Sequence, residues 1–103
     1  MKKYDMIREL FKKGDAPKFC YLFDKKTLGD VIELNLKYDN LIVNTEDNHY
    51  KFWTYTANGR YIKYIWGKIG SEGSSIEKDD SEFEAIQKMN KKIFNGYVKI
   101  SWK

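Results

Sequence analysis

Two hydrophobic periods share this chain. In residues 3–13, Ile7, Leu10 and Phe11 stand at i, i+3 and i+4, which predicts a short amphipathic helix closed by Gly14. Pro17 then forces an extended entry into the apolar run 19–23, which has strand character. After the polar break Asp24-Lys25-Lys26 the period becomes two. Ile32, Leu34, Leu36 and Tyr38 alternate with Glu33, Asn35 and Lys37, the pattern of a half-buried strand. Asp39-Asn40 signals a turn, 41–44 a short return strand, and 45–48 a polar loop.

The second half is more sharply punctuated. Residues 49–56 are rich in Tyr, Phe, Trp and Thr and predict a strand. Asn58-Gly59 is the strongest hairpin signal in the sequence, because both residues tolerate the positive φ of a type I′ turn, and 60–69 is the return strand. A glycine-serine loop follows, with a short strand about Ile76. Ser81-Glu82-Phe83-Glu84 is a capping box. It opens a helix to about residue 94 that is expected to turn Phe83, Ile86, Met89, Ile93 and Phe94 to the core. Asn95-Gly96 stops that helix, and 97–102 alternates as a closing strand. The expected class is α+β: an antiparallel sheet with the C-terminal helix packed on it, plus an N-terminal helix, in a single domain over 1–103.

Composition narrows the function classes. Seventeen aromatic rings in 103 residues, with 33% charged residues, exclude a disordered tail. One Cys excludes an internal disulfide, and one Cys with one His excludes a closed Cys/His zinc site. No apolar run has the length of a membrane span, and the charged start lacks the apolar stretch of a signal peptide, so a cytoplasmic, intracellular protein is expected. The net charge of +4 lies entirely in residues 51–103, which also hold ten of the seventeen rings. Lysines neutralise phosphates and rings stack on bases or sugars, so this mixture suits nucleic acid; rings also build sheet cores, and composition leaves both readings open.

Catalytic chemistry is not visible. There is no phosphate-binding glycine loop, and Gly70-Ser71-Glu72-Gly73 reads as a turn. His49 stands at a strand start among polar residues, Cys20 reads as a buried thiol, and the acidic residues from Glu77 to Glu84 favour a helix N-terminus. No nucleophile–base pair, cofactor motif or metal set is present, so an enzyme, a small-molecule substrate, a cofactor and a metal are not expected.

The informative stretch is Tyr64-Ile65-Trp66-Gly67-Lys68-Ile69-Gly70. Alternation places Trp66 and Lys68 on one face with Ile62 and Tyr64, and Tyr61, Ile65 and Ile69 on the other. Trp66 beside Lys68 is either a stacking plate next to a cation or a ring packed beneath the helix. Gly67 and Gly70 leave room for close backbone approach.

Residues 49 to about 98 resemble a WGR domain. His49-Tyr50-Lys51-Phe52-Trp53 is similar to the family's opening strand. Trp66-Gly67-Lys68-Ile69-Gly70 stands at its Trp-Gly-Arg-(Ile/Val)-Gly signature, Phe83-Glu84-Ala85 at its helix, and Asn95-Gly96-Tyr97 at its closing Gly-Tyr. Residues 49–103 thus form the WGR-like module, and 1–48 a preceding helix and strands. The resemblance implies an antiparallel sheet with one helix. It also implies a non-enzymatic role in binding DNA, as the module does at breaks in nuclear poly-ADP-ribose polymerases; the chain is too short for a polymerase catalytic domain. By the same resemblance Trp66 stacks on a terminal nucleotide or sugar. Lys68 stands where the family arginine bridges DNA and a neighbouring domain, and Lys92 where a family lysine lies near the DNA backbone. Lys68 lacks the planar fork of that arginine, and Ser74 replaces the usual Gln.

The expected function is a small DNA-binding module that holds the backbone, at ends or distortions, with little base reading. Its expected contacts are Trp66, Gly67, Lys68, Tyr64, Arg60, Lys63, Lys91 and Lys92, with Lys88 adding charge. RNA could occupy the same surface. The alternative is a protein-interaction adaptor or small phage-type inhibitor using that surface.

Overall fold

The computed structural model describes residues 23–46 and 49–100. Their elements are α1 (Lys25–Lys37), β1 (Ile42–Asn44), β2 (Lys51–Asn58), β3 (Tyr61–Lys68), β4 (Ser74–Lys78), α2 (Glu82–Phe94) and β5 (Val98–Lys99). The class is the expected α+β. The sequence-predicted helix at 3–13, all of the predicted strand 19–23 with Cys20 but for Phe23, and Trp102 lie outside the described residues; Phe23 itself is in a bend, not a strand.

The first described element corrects the sequence reading. Residues 32–37 of the segment 32–38, expected as a strand, belong to α1, and Tyr38 caps its C-terminus in an extended conformation. Asp24 begins that helix rather than a loop: its carboxylate accepts from the Thr27 backbone N–H at 2.7 Å. Hydrogen bonding from the Thr27 side chain first, and from its backbone N–H second, holds the Asp24 carboxyl below its ordinary value. Leu28, Val31 and Ile32 then fall at i, i+3 and i+4 and are all buried. Leu36, which completes the period-two pattern, points outward instead. The alternation at 32–38 is a by-product of a helix whose apolar face is widened by Leu34.

The sheet has the order β4-β3-β2-β1-β5, and every neighbouring pair is antiparallel. Its centre is the long β2–β3 hairpin, paired from Lys51↔Lys68 to Asn58↔Tyr61. The two turn residues are therefore Gly59 and Arg60, one position later than expected. Gly59 takes φ +65°, and Arg60 is not among the residues of positive φ. Glycine at the first central position of a two-residue loop is the type II′ arrangement, so Asn58 serves as the last strand residue rather than half of a I′ turn.

Each face of the sheet carries its own core. On one face Leu28, Val31 and Ile32 of α1 meet Val43, Phe52 and Ile65, with Leu41 and Ile100 completing an aliphatic cluster. On the other, Ala85 and Met89 of α2 meet Ile42, Trp53, Tyr55, Ile62 and Tyr64. Each fully buried large side chain contributes about 1.5–3 kcal/mol, so both clusters matter to stability.

The Ser81 cap is the expected one: its hydroxyl accepts from the Glu84 N–H at 3.1 Å. The expected core face of α2 is only partly right. Ala85 and Met89 are buried, but Phe83 is 68% exposed and Phe94 90% exposed, and Ile86 is also exposed. At 100° per residue, Phe83 and Phe94 stand on the far side of the helix from Ala85. The C-terminal end of α2 is fixed by Gly96, which turns the chain at φ +111°.

Candidate nucleic-acid interface

Strand alternation and the hairpin register decide which side chains can share a surface. Trp53 pairs with Trp66, Tyr55 with Tyr64 and Lys51 with Lys68, so these pairs all rise on the α2 face. Across the next ladder Trp66 pairs with Ser74 and Tyr64 with Ile76. Above this floor runs α2, whose Lys88, Lys91 and Lys92 lie within one turn of one another.

Two clefts result, and Trp66 lines both. The larger, of about 550 Å³, lies between α2 and strands β3 and β4. Trp53, Tyr64, Trp66 and Ile76 supply its apolar walls, and Lys78, Lys88, Lys91 and Lys92 its cations, with the Asn95 amide at one end. The smaller, of about 490 Å³, lies on the other side of Trp66. It is lined by His49, Lys51, Lys68 and Tyr97, and it shares Trp53 and Lys92 with the first. Among the described residues, no carboxylate lines either cleft.

Trp66 is 40% exposed. It is therefore not sealed beneath the helix, and the stacking-plate reading is geometrically available. Trp53 is its buried support, with its ring 5.7 Å from that of Tyr64 and 6.1 Å from that of Tyr55. Lys92 bridges the two clefts: its ammonium lies 6.0 Å from the Trp53 ring centre and 5.3 Å from that of Tyr97.

One cation is already engaged. The Asp80 carboxylate accepts from Lys88 Nζ at 2.7 Å and from the Tyr64 hydroxyl. The hydrogen bond from Lys88 comes first in holding the Asp80 carboxyl below its ordinary value, and the one to Asp80 holds the Lys88 ammonium above its own. Burial raises the Tyr64 hydroxyl. The Tyr64 ring is only 4% exposed and the Lys88 ammonium sits 4.6 Å from its centre. Tyr64 is thus a floor residue and anchor for Asp80, with little ring surface left for stacking.

The other sequence-predicted residues separate clearly. Lys68, Lys91 and Lys92 gather about Trp66. Gly67 lines the smaller cleft, but the close approach it permits is internal: a Cβ there would meet the Gly73 Cα at 2.7 Å. Gly70 likewise faces the protein, with a Cβ position 3.2 Å from Asp30 Oδ2. Arg60 sits at the hairpin turn, beyond the opposite end of β3 from Lys68, with its guanidinium 5.6 Å from the Tyr61 ring centre. Lys63 rises on the α1 face, paired across the ladder with Glu77. Lys51 and Lys78 were missed as contacts. Strand alternation could have found Lys51: the expected Asn58-Gly59 turn places it opposite Trp66 and the observed Gly59-Arg60 turn opposite Lys68, on the same face either way. Lys78 depends on a β3–β4 pairing that has no comparable turn signal.

Residues 38–102 match the WGR domain family model. A comparison with curated proteins finds no match. Among solved structures, a Bacteroides fragilis protein seen in a crystal structure is 25% identical, with a TM-score of 0.56 over 60% of this chain. The match spans 19% of that protein's length. With a family match over most of its length, and with Trp66-Gly67-Lys68 on the central hairpin where the family signature stands, this chain belongs to the WGR domain family.

Proposed function

We propose that the protein is a non-enzymatic module that binds DNA by its sugar-phosphate backbone, at a strand end, with Trp66 as the stacking surface. WGR domains are binding modules, and nucleic-acid binding is the role the family supports. One observation carries the reading: a half-exposed tryptophan stands between two clefts that, among the described residues, are lined by six lysines and no carboxylate. Lysines placed on both sides of a flat ring suit a strand whose terminal sugar or base lies on the ring while its phosphates pass to either side. Lys68 acts there as a point charge, which serves a phosphate but not the bidentate geometry of an arginine. Arg60 and Lys63 contribute only to the general field.

The test is a titration of the full chain against 5′-phosphorylated duplex, closed circular duplex and single strands at several salt concentrations. Binding should favour ends and weaken steeply with salt. Trp66→Ala should lower affinity about tenfold at each salt concentration. Lys68→Ala should instead flatten the salt dependence by about one phosphate contact. Absent or salt-insensitive binding overturns the reading.

A protein partner remains the second reading, and a separate surface favours it. Phe83, Ile86 and Phe94 are exposed on α2 away from the clefts, an unusual concentration of apolar surface. Such a partner would tolerate Trp66→Ala and be lost with Phe94→Ala.

A further inference from the structure

We infer that the larger cleft receives one unpaired nucleobase at a DNA strand end, so that the protein reads the presence of a base there as well as the backbone. The inference rests on the DNA reading above and assigns a task to a part of the surface that backbone binding leaves unused.

The walls of the cleft differ from what phosphates need. Trp66 and Ile76 stand diagonally across the β3–β4 ladder on one face, and Ile76 is 46% exposed although it gains nothing from water. Diagonal neighbours of an antiparallel pair lie about 7–8 Å apart, close enough for both side chains to border one ligand. Trp53 and Tyr64 close the floor beneath them. A volume of about 550 Å³ is within the range of ligand sites and accommodates a single nucleotide. Asn95 places an amide, both donor and acceptor, at the rim, where the polar edge of a base could be met. Lys78 and Lys91 flank the same opening and suit the phosphate that must accompany the base. In the smaller cleft the ring opposite Trp66 is Tyr97, which is partly buried and has the Lys92 ammonium 5.3 Å from its centre. That cleft fits backbone alone.

The experiment compares three 5′-phosphorylated duplexes with the full-length protein: blunt, with a one-nucleotide overhang carrying a base, and with the same overhang made abasic. The charge of the two overhangs is equal, so counterion release cancels between them. The base-bearing overhang should bind about tenfold more tightly than the abasic one. Ile76→Ser, checked for folding by circular dichroism, should shrink that ratio towards one. Equal affinity for base-bearing and abasic overhangs, with salt-dependent binding of both, overturns the base pocket while leaving the backbone reading in place. A tenfold ratio unchanged by Ile76→Ser also overturns it, since the base would then lie elsewhere. Absence of binding to all three duplexes overturns the inference together with the reading on which it rests.

Discussion

The two faces of the sheet use the same strands for different ends. Under α1 the buried apolar side chains are aliphatic apart from Phe52, with Phe23, Tyr38 and Ile69 packed at the margin. Under α2 the strands carry Trp53, Tyr55, Tyr64 and Trp66, and the helix meets them with Ala85 and Met89. A small residue and a flexible one bring α2 close over Trp53 but cannot reach Trp66. Aromatic rings are too large to be covered by a helix with so narrow an apolar face, and the uncovered remainder becomes the two clefts. Charge follows the same division. Acidic Asp30, Glu33 and Glu72 line the hollow on the α1 side together with Lys37, whereas among the described residues the α2 clefts are lined by six lysines and no carboxylate. Both faces carry a buried core, but only the α2 face also leaves a large aromatic ring, Trp66, exposed beside lysines.

The largest expected effect breaks the closed face. Phe52 is 1% exposed at the centre of the aliphatic core. Phe52→Ala should lower stability by about 3–5 kcal/mol, measured by urea unfolding. Trp66→Ala, one ladder step away but on the open face, should leave the protein folded with a loss of about 1 kcal/mol. Comparable losses in the two variants would show that the faces are not divided as described.

Gly73 sharpens the comparison because it touches both faces. It takes φ +75°, and a Cβ there would press on the Trp66 carbonyl oxygen and lie 2.9 Å from Phe52 Cζ. Gly73→Ala should cost about 1–3 kcal/mol in stability from the left-handed backbone. It should also weaken DNA binding by the remaining folded protein, because the Trp66 backbone must shift. A variant of full stability and full affinity would mean that the close approach at Gly67 and Gly73 has slack.

The sequence disclosed the hairpin well and the helices unevenly. Period-two alternation and the glycine turn located β2 and β3 to within two residues, and Ser81 located the start of α2. What failed was the assignment of apolar residues to faces. At 32–38 the two periods coincide over a few residues, and only Leu28 and the Asp24 cap, further upstream, separate them. On α2, the presence of Phe83 and Phe94 suggested core positions that the angle from Ala85 forbids. The site was legible where one strand carried it, in Trp66 and Lys68. It was not legible where strands and helix converge: Lys51, Lys78 and Ile76 enter through register, and Asp80 through its reach to Tyr64.

Asp80 gives the smallest and most specific prediction, since it sets how much of the open face's charge is available. Its carboxyl is held down and the Lys88 ammonium up, so the pair persists across the neutral range. The carboxylate's stabilising share is complete above about pH 3.9, its unfolded value, and is lost only as pH falls through the lowered folded value. At neutral pH Asp80 therefore neutralises one of the six cleft lysines. Asp80→Asn leaves an amide oxygen to accept from Tyr64 but frees Lys88 for a phosphate. The slope of log K against log salt should steepen by about 0.9. In the parent protein, Lys88→Ala should leave that slope nearly unchanged, whereas after Asp80→Asn the same substitution should restore the shallower value. An unchanged slope in Asp80→Asn would place Lys88 outside the path of the strand and narrow the interface to Trp66 with Lys51, Lys68, Lys78, Lys91 and Lys92.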